Sequence, residues 1–214
     1  MNHKIRWRSV VMTFLCNGFF MSSLYAQGII SEWSSVKTPP PPTLTKILVD
    51  PKNTALLVLD VSTTTCNLEV RPRCIAMLPT VKKLMTTARA KNLFIVYALG
   101  ILPKPGVPAD IWPEAAMVGE EPWVRSGPDK YLNTDLDKIL KEKGIKTVIV
   151  IGTASHGAVL HTAAGAVFRG LNVVVPIDAI AAESTYAEQY TAWHLQNAPR
   201  MAASVKLTSV DLIE

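Results

Sequence analysis

"KTVIVIGTASHGAVLHTAAGAVFRGLNVVVPID", residues 146–178, decides the fold. "KTVIVIG" (146–152) is apolar without alternation, the pattern of a strand buried on both faces. The small-residue stretch from His156 to Arg169 then predicts a helix, and "NVVVPID" (172–178) a second buried strand. Strand, helix and strand within this span make a parallel crossover unit.

The same alternation runs outward in both directions. "TALLVLD" (54–60) is a further buried strand ending in an acid, and "CIAMLPTVKKLMTTARAKN" carries Leu78, Val81, Leu84, Met85 and Ala88 at helical spacing. "LFIVYAL" (93–99) predicts the next strand, followed by a long Pro-rich loop over 100–122. In "NTDLDKILKEKG", Asn133 or Thr134 supplies the helix cap, Asp135 and Asp137 suit the first turn, and Gly144 ends the helix. A helix near 184–197 and "SVKLTSVDLI" (204–213) complete the series. The expected class is α/β, a three-layer α/β/α sandwich on a central, mainly parallel sheet of about six strands. Ligands in such sheets bind beyond the carboxyl ends of the strands, which draws Asp60, the stretch around Arg125 and the turn from Gly152 to Ala158 toward one cleft.

The first 26 residues read as a secretory signal peptide, with Lys4, Arg6 and Arg8 ahead of an apolar stretch and Ala26 before Gln27. Its apolar run is interrupted by Cys16, Asn17 and Gly18 and falls short of the roughly 20 residues of a membrane span. Without it the formal charge falls from +5 to +2, so the basic character is largely a targeting feature and does not favour a nucleic-acid partner. The expected location is secreted or periplasmic, with no membrane attachment after cleavage. Residues 27–50 form a Pro-rich arm, Pro39 to Pro42 favouring extended polyproline laid on the surface or on a neighbouring subunit, with a disordered leader as the alternative. Residues 51–214 form one domain. Cys66 and Cys74 are the two cysteines beyond the leader; an oxidising compartment favours a disulfide between them over two thiols.

From about residue 50 to 213 the chain resembles the isochorismatase-like cysteine hydrolases, which include nicotinamidases and N-carbamoyl amidohydrolases. "TALLVLD" is similar to the family's first strand with its catalytic aspartate, and "TDLDKILKEKGIKTVIVIGTASHGAVLHTAAGAVFRGLNVVVPIDAIAA" to its stretch from the mid-chain helix through the nucleophile helix and the next strand. The resemblance implies an Asp-Lys-Cys triad. Asp60 matches the aspartate, as general acid or base. Counting back from Thr134 puts Arg125 at the lysine position in preference to the nearer Lys130, and Ala158 falls where the family has its cysteine. The resemblance also implies a cis peptide at Thr153-Ala154 and an oxyanion hole from the amides of Ala154 and Ala158. Thr153, Ala154, Ser155, His156 and Trp123 are the expected substrate- or oxyanion-binding residues.

An alanine methyl cannot attack a carbonyl, and an arginine, protonated up to a pKa of about 12 or more, cannot shuttle protons as a tuned lysine does. Covalent thioester chemistry is therefore not expected. A polarised carbonyl or an anion can still be held by backbone amides, and an aspartate can activate water directly, with Arg125 gripping a carboxylate or pairing with Asp60. Ser155 and His156 are neighbours, a poor geometry for a Ser-His nucleophile. Cys66 lacks a base nearby in sequence. His161 lies five residues after His156, off its helical face, and "LFIVYALGILPKPG" has neither acid nor histidine, so no metal and no cofactor is expected. His194, beside Trp193, is expected to serve surface or helix packing, and Trp112 and Trp123, which flank the long loop, suit lining the cleft and packing or subunit contact equally. Two functions remain: a cysteine-independent hydrolase of a small carboxylate- or amide-type molecule, or an inactive pseudoenzyme serving as an anion-binding or structural subunit. The family implies a homodimer or homotetramer.

Overall fold

A computed structural model describes residues 28–214; the expected signal peptide lies outside the described residues. Of the described residues, 28–38 belong to a first unit and hold a single short helix, α1 (Ile29–Glu32), and one 3₁₀ turn. Pro39–Glu214 is the second unit.

In that unit the sheet order is β3 (Trp123–Arg125), β2 (Phe94–Leu99), β1 (Thr54–Leu59), β4 (Thr147–Thr153), β5 (Asn172–Pro176) and β7 (Val205–Thr208), with β6 (Ile180–Ala181) also paired to β4. Every pairing of these strands is parallel. Burial on both faces produces the unbroken apolar runs: Ala55, Leu57 and Leu59 point into one core, while Leu56 and Val58 point into the other. The second core is covered by α2 (Pro72–Ala90), which buries Met77, Leu78, Val81, Leu84 and Met85, each contributing about 1.5–3 kcal/mol. The first is covered by α3 (Leu136–Glu142), α4 (Leu160–Phe168) and α5 (Thr185–Asn197), followed by the short α6 (Met201–Ser204). The α/β/α sandwich expected from the sequence is therefore the observed architecture.

Some boundaries differ for local reasons. Asp135, not Asn133 or Thr134, precedes α3, and Thr134 Oγ1 accepts the Leu136 amide instead. The predicted helix at 156–169 opens with a wider π turn over Ser155–Val159. The strands β3 and β6 have three and two residues, too short to show a periodicity. Pro39 to Pro42 line a groove of about 230 Å³ with Glu188, Ala192 and Trp193, and Thr45, Ile47 and Val49 donate to the carbonyls of Leu207, Leu212 and Glu214. Residues 39–49 therefore pack along their own domain.

The chain runs from β1 outward through β2 to β3 and then returns to β4 on the other side of β1. The order reverses between β1 and β4, where open α/β sheets place their ligand crevice. Leu59 lies beside Ala98 on one side and Gly152 on the other, so Asp60 emerges at that crevice.

Candidate active site

Asp60 leaves β1 in the left-handed region at φ +55°, a conformation Asp tolerates better than most residues. Its amide donates to Ala98 O, and its own carbonyl accepts Thr65 Oγ1 at 2.5 Å. The backbone is thus fixed from two sides and the carboxylate is directed into the protein. Gly100 makes room for it: a Cβ at that position would stand 3.3 Å from Asp60 Oδ1.

Oδ2 of Asp60 is 2.8 Å from Nζ of Lys130, and the lysine side chain is only 1% exposed. Lys130 reaches this point because its loop is clamped onto α4. Its amide donates to Thr162 Oγ1, Thr162 Oγ1 donates to Pro128 O, Thr134 Oγ1 donates to Lys130 O, and Ser126 Oγ donates to the carbonyls of Asp129 and Leu132. Gly165 on α4 lets the loop approach so closely that a Cβ there would stand 2.9 Å from Asp129 Oδ1.

The expectation that Arg125 occupies the lysine position is corrected by this geometry. Arg125 is exposed at the end of β3, where Nε donates to Gly106 O at 2.8 Å and the guanidinium lies 5.1 Å from the Trp123 ring centre. Among the described residues it has no ion pair with Asp60, and Lys130 has that role. Loop lengths do not preserve register, so counting back from Thr134 misplaced the cation. Burial of a lysine inside "SGPDKYLNT" left no periodic signal to find it by.

Burial pushes the pKa of Asp60 above the usual carboxylate range; Lys130 opposes this most strongly, and the charge of Arg71 and the amide of Gly100 oppose it further. The Gly100 amide makes no full hydrogen bond to that carboxylate, and Asp60 Oδ1 is buried without a partner among the described residues. A carboxylate with one oxygen held by lysine and the other unpartnered has the chemistry to exchange a proton with a bound molecule.

The turn after β4 brings the other expected residues to the same crevice. Gly152 has φ +119°, and a Cβ there would fall 1.9 Å from Leu59 O, so only glycine permits β4 to pass β1 at this point. The Thr153-Ala154 peptide is cis. Thr153 Oγ1 donates to Ala181 O; Ser155 is fully buried and accepts from Thr191 Oγ1, a packing role that leaves no base beside it. His156 Nε2 lies 3.4 Å from Glu183 Oε1, and its Nδ1 is buried without a partner. Ala158 is buried at the start of the helical segment. His161 Nδ1 bonds the carbonyl of Gly157, and His194 packs against Tyr190 on α5. Among the described residues no three of His, Cys, Asp and Glu converge as a metal would require.

Cys66 and Cys74 form a disulfide with their Cα atoms 5.3 Å apart, and both are buried in the core under α2. Trp112 Nε1 donates to Cys66 O at 2.7 Å, so this tryptophan braces the disulfide loop. With these two cysteines joined, the described residues contain no free thiol. Sequence reading missed Arg71, which lies in this loop and donates from Nη1 to Thr65 O, beside Asp60.

Comparison with known proteins places this site in a family. The chain is 30% identical over 111 residues, 48% of its own length, to the secreted isochorismatase effector Isc1 of Verticillium dahliae, and spans 58% of that protein. In fold it is similar to an isochorismatase-like hydrolase from Alkaliphilus metalliredigens, with a TM-score of 0.66, 23% identity, and coverage of 74% of this chain and 94% of the other. It is also similar to N-carbamoylsarcosine amidase from Thermoplasma acidophilum, with a TM-score of 0.62, 22% identity, and coverage of 74% and 97%. A family model described as the isochorismatase domain matches residues 54–208, from β1 through β7, and the chain therefore belongs to the isochorismatase family of hydrolase-like proteins.

Proposed function

We propose that this protein hydrolyses a small carboxylate- or amide-type molecule by direct attack of water, with Asp60 as the proton-transferring group and no covalent enzyme intermediate. One observation carries the reading. The buried Asp60–Lys130 pair is intact, while position 158 is alanine and the described cysteines are locked in a disulfide. For an amide, Asp60 takes a proton from water as the oxygen forms its bond to the carbonyl carbon. The C–N bond then breaks, and the proton passes to the departing nitrogen. Lys130 holds Asp60 ionised and aimed, while burial makes that carboxylate a stronger base than an exposed one. The amides of Ala154 and Ala158 are the donors assigned to the developing oxyanion.

The disulfide and the secreted relative support export to an oxidising compartment, as does the leader-like start of the sequence. The ligand is a small molecule, and assembly into a homodimer or homotetramer is part of the proposal. The second reading, a pseudoenzyme that binds without turnover, rests on Ala158 alone.

The test is turnover of a panel of amides, carbamoyl amines and a vinyl ether by the exported form of the chain, before and after iodoacetamide. The expected result is turnover that survives alkylation and disappears in Asp60→Asn. Turnover abolished by alkylation refutes the water mechanism, and a wild-type protein inert across the panel supports the binding role instead.

A further inference from the structure

The side chain beside the catalytic pair that the mechanism leaves unused is Arg71. It sits inside the nine-residue loop closed by the Cys66–Cys74 disulfide, immediately before the Pro72 that opens α2. Two consecutive hydrogen bonds fix it relative to Asp60: Arg71 Nη1 donates to Thr65 O at 2.8 Å, and Thr65 Oγ1 donates to Asp60 O at 2.5 Å. Its charge is felt at the Asp60 carboxylate. Yet Nε is buried with no hydrogen-bond partner among the described residues. The nearest acid, Glu183, stands 3.9 Å from that nitrogen, beyond hydrogen-bond length, and shares its carboxylate with His156 at 3.4 Å. With Glu183 turned aside, the unpartnered Nε edge of this guanidinium is a fork for a planar oxyanion.

We propose that Arg71 is the specificity residue of the site, binding the carboxylate of the substrate through its guanidinium and so placing the scissile group over Asp60. This rests on the hydrolase reading for its consequence, though not for the binding itself. Glu183 then competes with the incoming carboxylate: it faces the same guanidinium and, about half exposed, is free to turn toward solvent. Arg125, the cation expected to grip the substrate, is instead engaged with Gly106 O and the Trp123 face.

The experiment compares benzoate with its neutral isostere benzamide, titrated into the disulfide-intact chain by calorimetry and followed by the Nε–Hε resonances of arginine. Wild-type protein is expected to bind benzoate and shift the Arg71 signal. Arg71→Gln should lose about tenfold or more in benzoate affinity, the scale of a charged hydrogen bond, and leave benzamide unchanged. Glu183→Gln, which removes the competing carboxylate without touching Arg71, should bind benzoate several-fold more tightly. The inference is overturned if Arg71→Gln weakens both probes equally, if Glu183→Gln leaves benzoate affinity unchanged, or if the wild-type protein does not bind benzoate. Benzoate binding at Arg71 with no turnover of any panel substrate defeats the hydrolase reading and leaves the carboxylate subsite standing.

Discussion

Replacing Lys130 by methionine tests whether Asp60 and Lys130 act as one unit. At 2.8 Å and an effective dielectric of about 20, their attraction is about 6 kcal/mol. Bringing each ion into the protein costs several kcal/mol, so the net worth of the intact pair is small. Removing one partner is different, because it leaves the other charge buried alone. Lys130→Met and Asp60→Asn are each expected to cost about 3–5 kcal/mol, and the double variant well under their sum, with a coupling of about 2–3 kcal/mol. Urea unfolding of the four proteins at pH 7 measures this cycle. Additivity to within about 0.5 kcal/mol would refute the idea that the two charges depend on each other. The pH dependence supplies a second check. Asp60 already has a folded pKa above its unfolded value near 3.8, and loss of Lys130 removes the largest opposing influence and raises it further. A carboxyl shifted upward contributes stability that is fully present below the unfolded pKa and is lost as pH rises through the folded one. The cost of Lys130→Met should therefore shrink as pH falls from 7 toward 4; a cost that grows over that window contradicts the assignment.

The remaining expectations are simpler. Gly152→Ala places a Cβ 1.9 Å from Leu59 O at a φ of +119°, and should lower stability by about 4 kcal/mol or more, read as loss of soluble protein or of a cooperative melt. Replacing both Cys66 and Cys74 by alanine opens a loop of sequence separation 8 and should cost about 2.5 kcal/mol in urea; no change would show that the loop is held by Trp112 and the core alone. Ala158→Cys introduces a thiol at the helix start, and intact mass should show it alkylated by iodoacetamide faster than a free cysteine, with the advantage lost in Lys130→Met. An Ala158→Cys thiol that reacts no faster than a free cysteine argues that position 158 does not face the Asp60–Lys130 pair.

What could be read from the residues follows from what has a period. The strands β1, β2, β4 and β5 are continuous apolar runs because both faces are covered, and Asp60 is visible as the acid that ends one of them. Gly152 and Ala158 stand in an ordered strand-to-helix junction, where both flanking elements have a period that fixes the count of residues between them. Lys130 and Arg71 lie in loops, and nothing in composition separates a buried lysine from a solvated one. Lys130 is recognisable only once Thr162 and Gly165 are seen to draw its loop onto α4. Arg71 is recognisable only once the disulfide brings residues 66 and 74 together. Arg125 was the plausible cation by count, but its guanidinium is already engaged with Trp123 and Gly106 O at the end of β3.

The unfavourable features of this domain collect at one strand end. Asp60 has a positive φ, its charge and that of Lys130 are both buried, and its Oδ1 lacks a full partner. Well-packed apolar residues in place of such a pair are often neutral or stabilising, so stability alone gives no reason for the arrangement. Strain and unsatisfied polar atoms persist where a ligand completes them. Alanine at position 158 removes none of these features, because they belong to Asp60 and Lys130. The arrangement is that of a site completed by a bound molecule, which is what the proposed proton transfer at Asp60 and the proposed carboxylate contact of Arg71 both require.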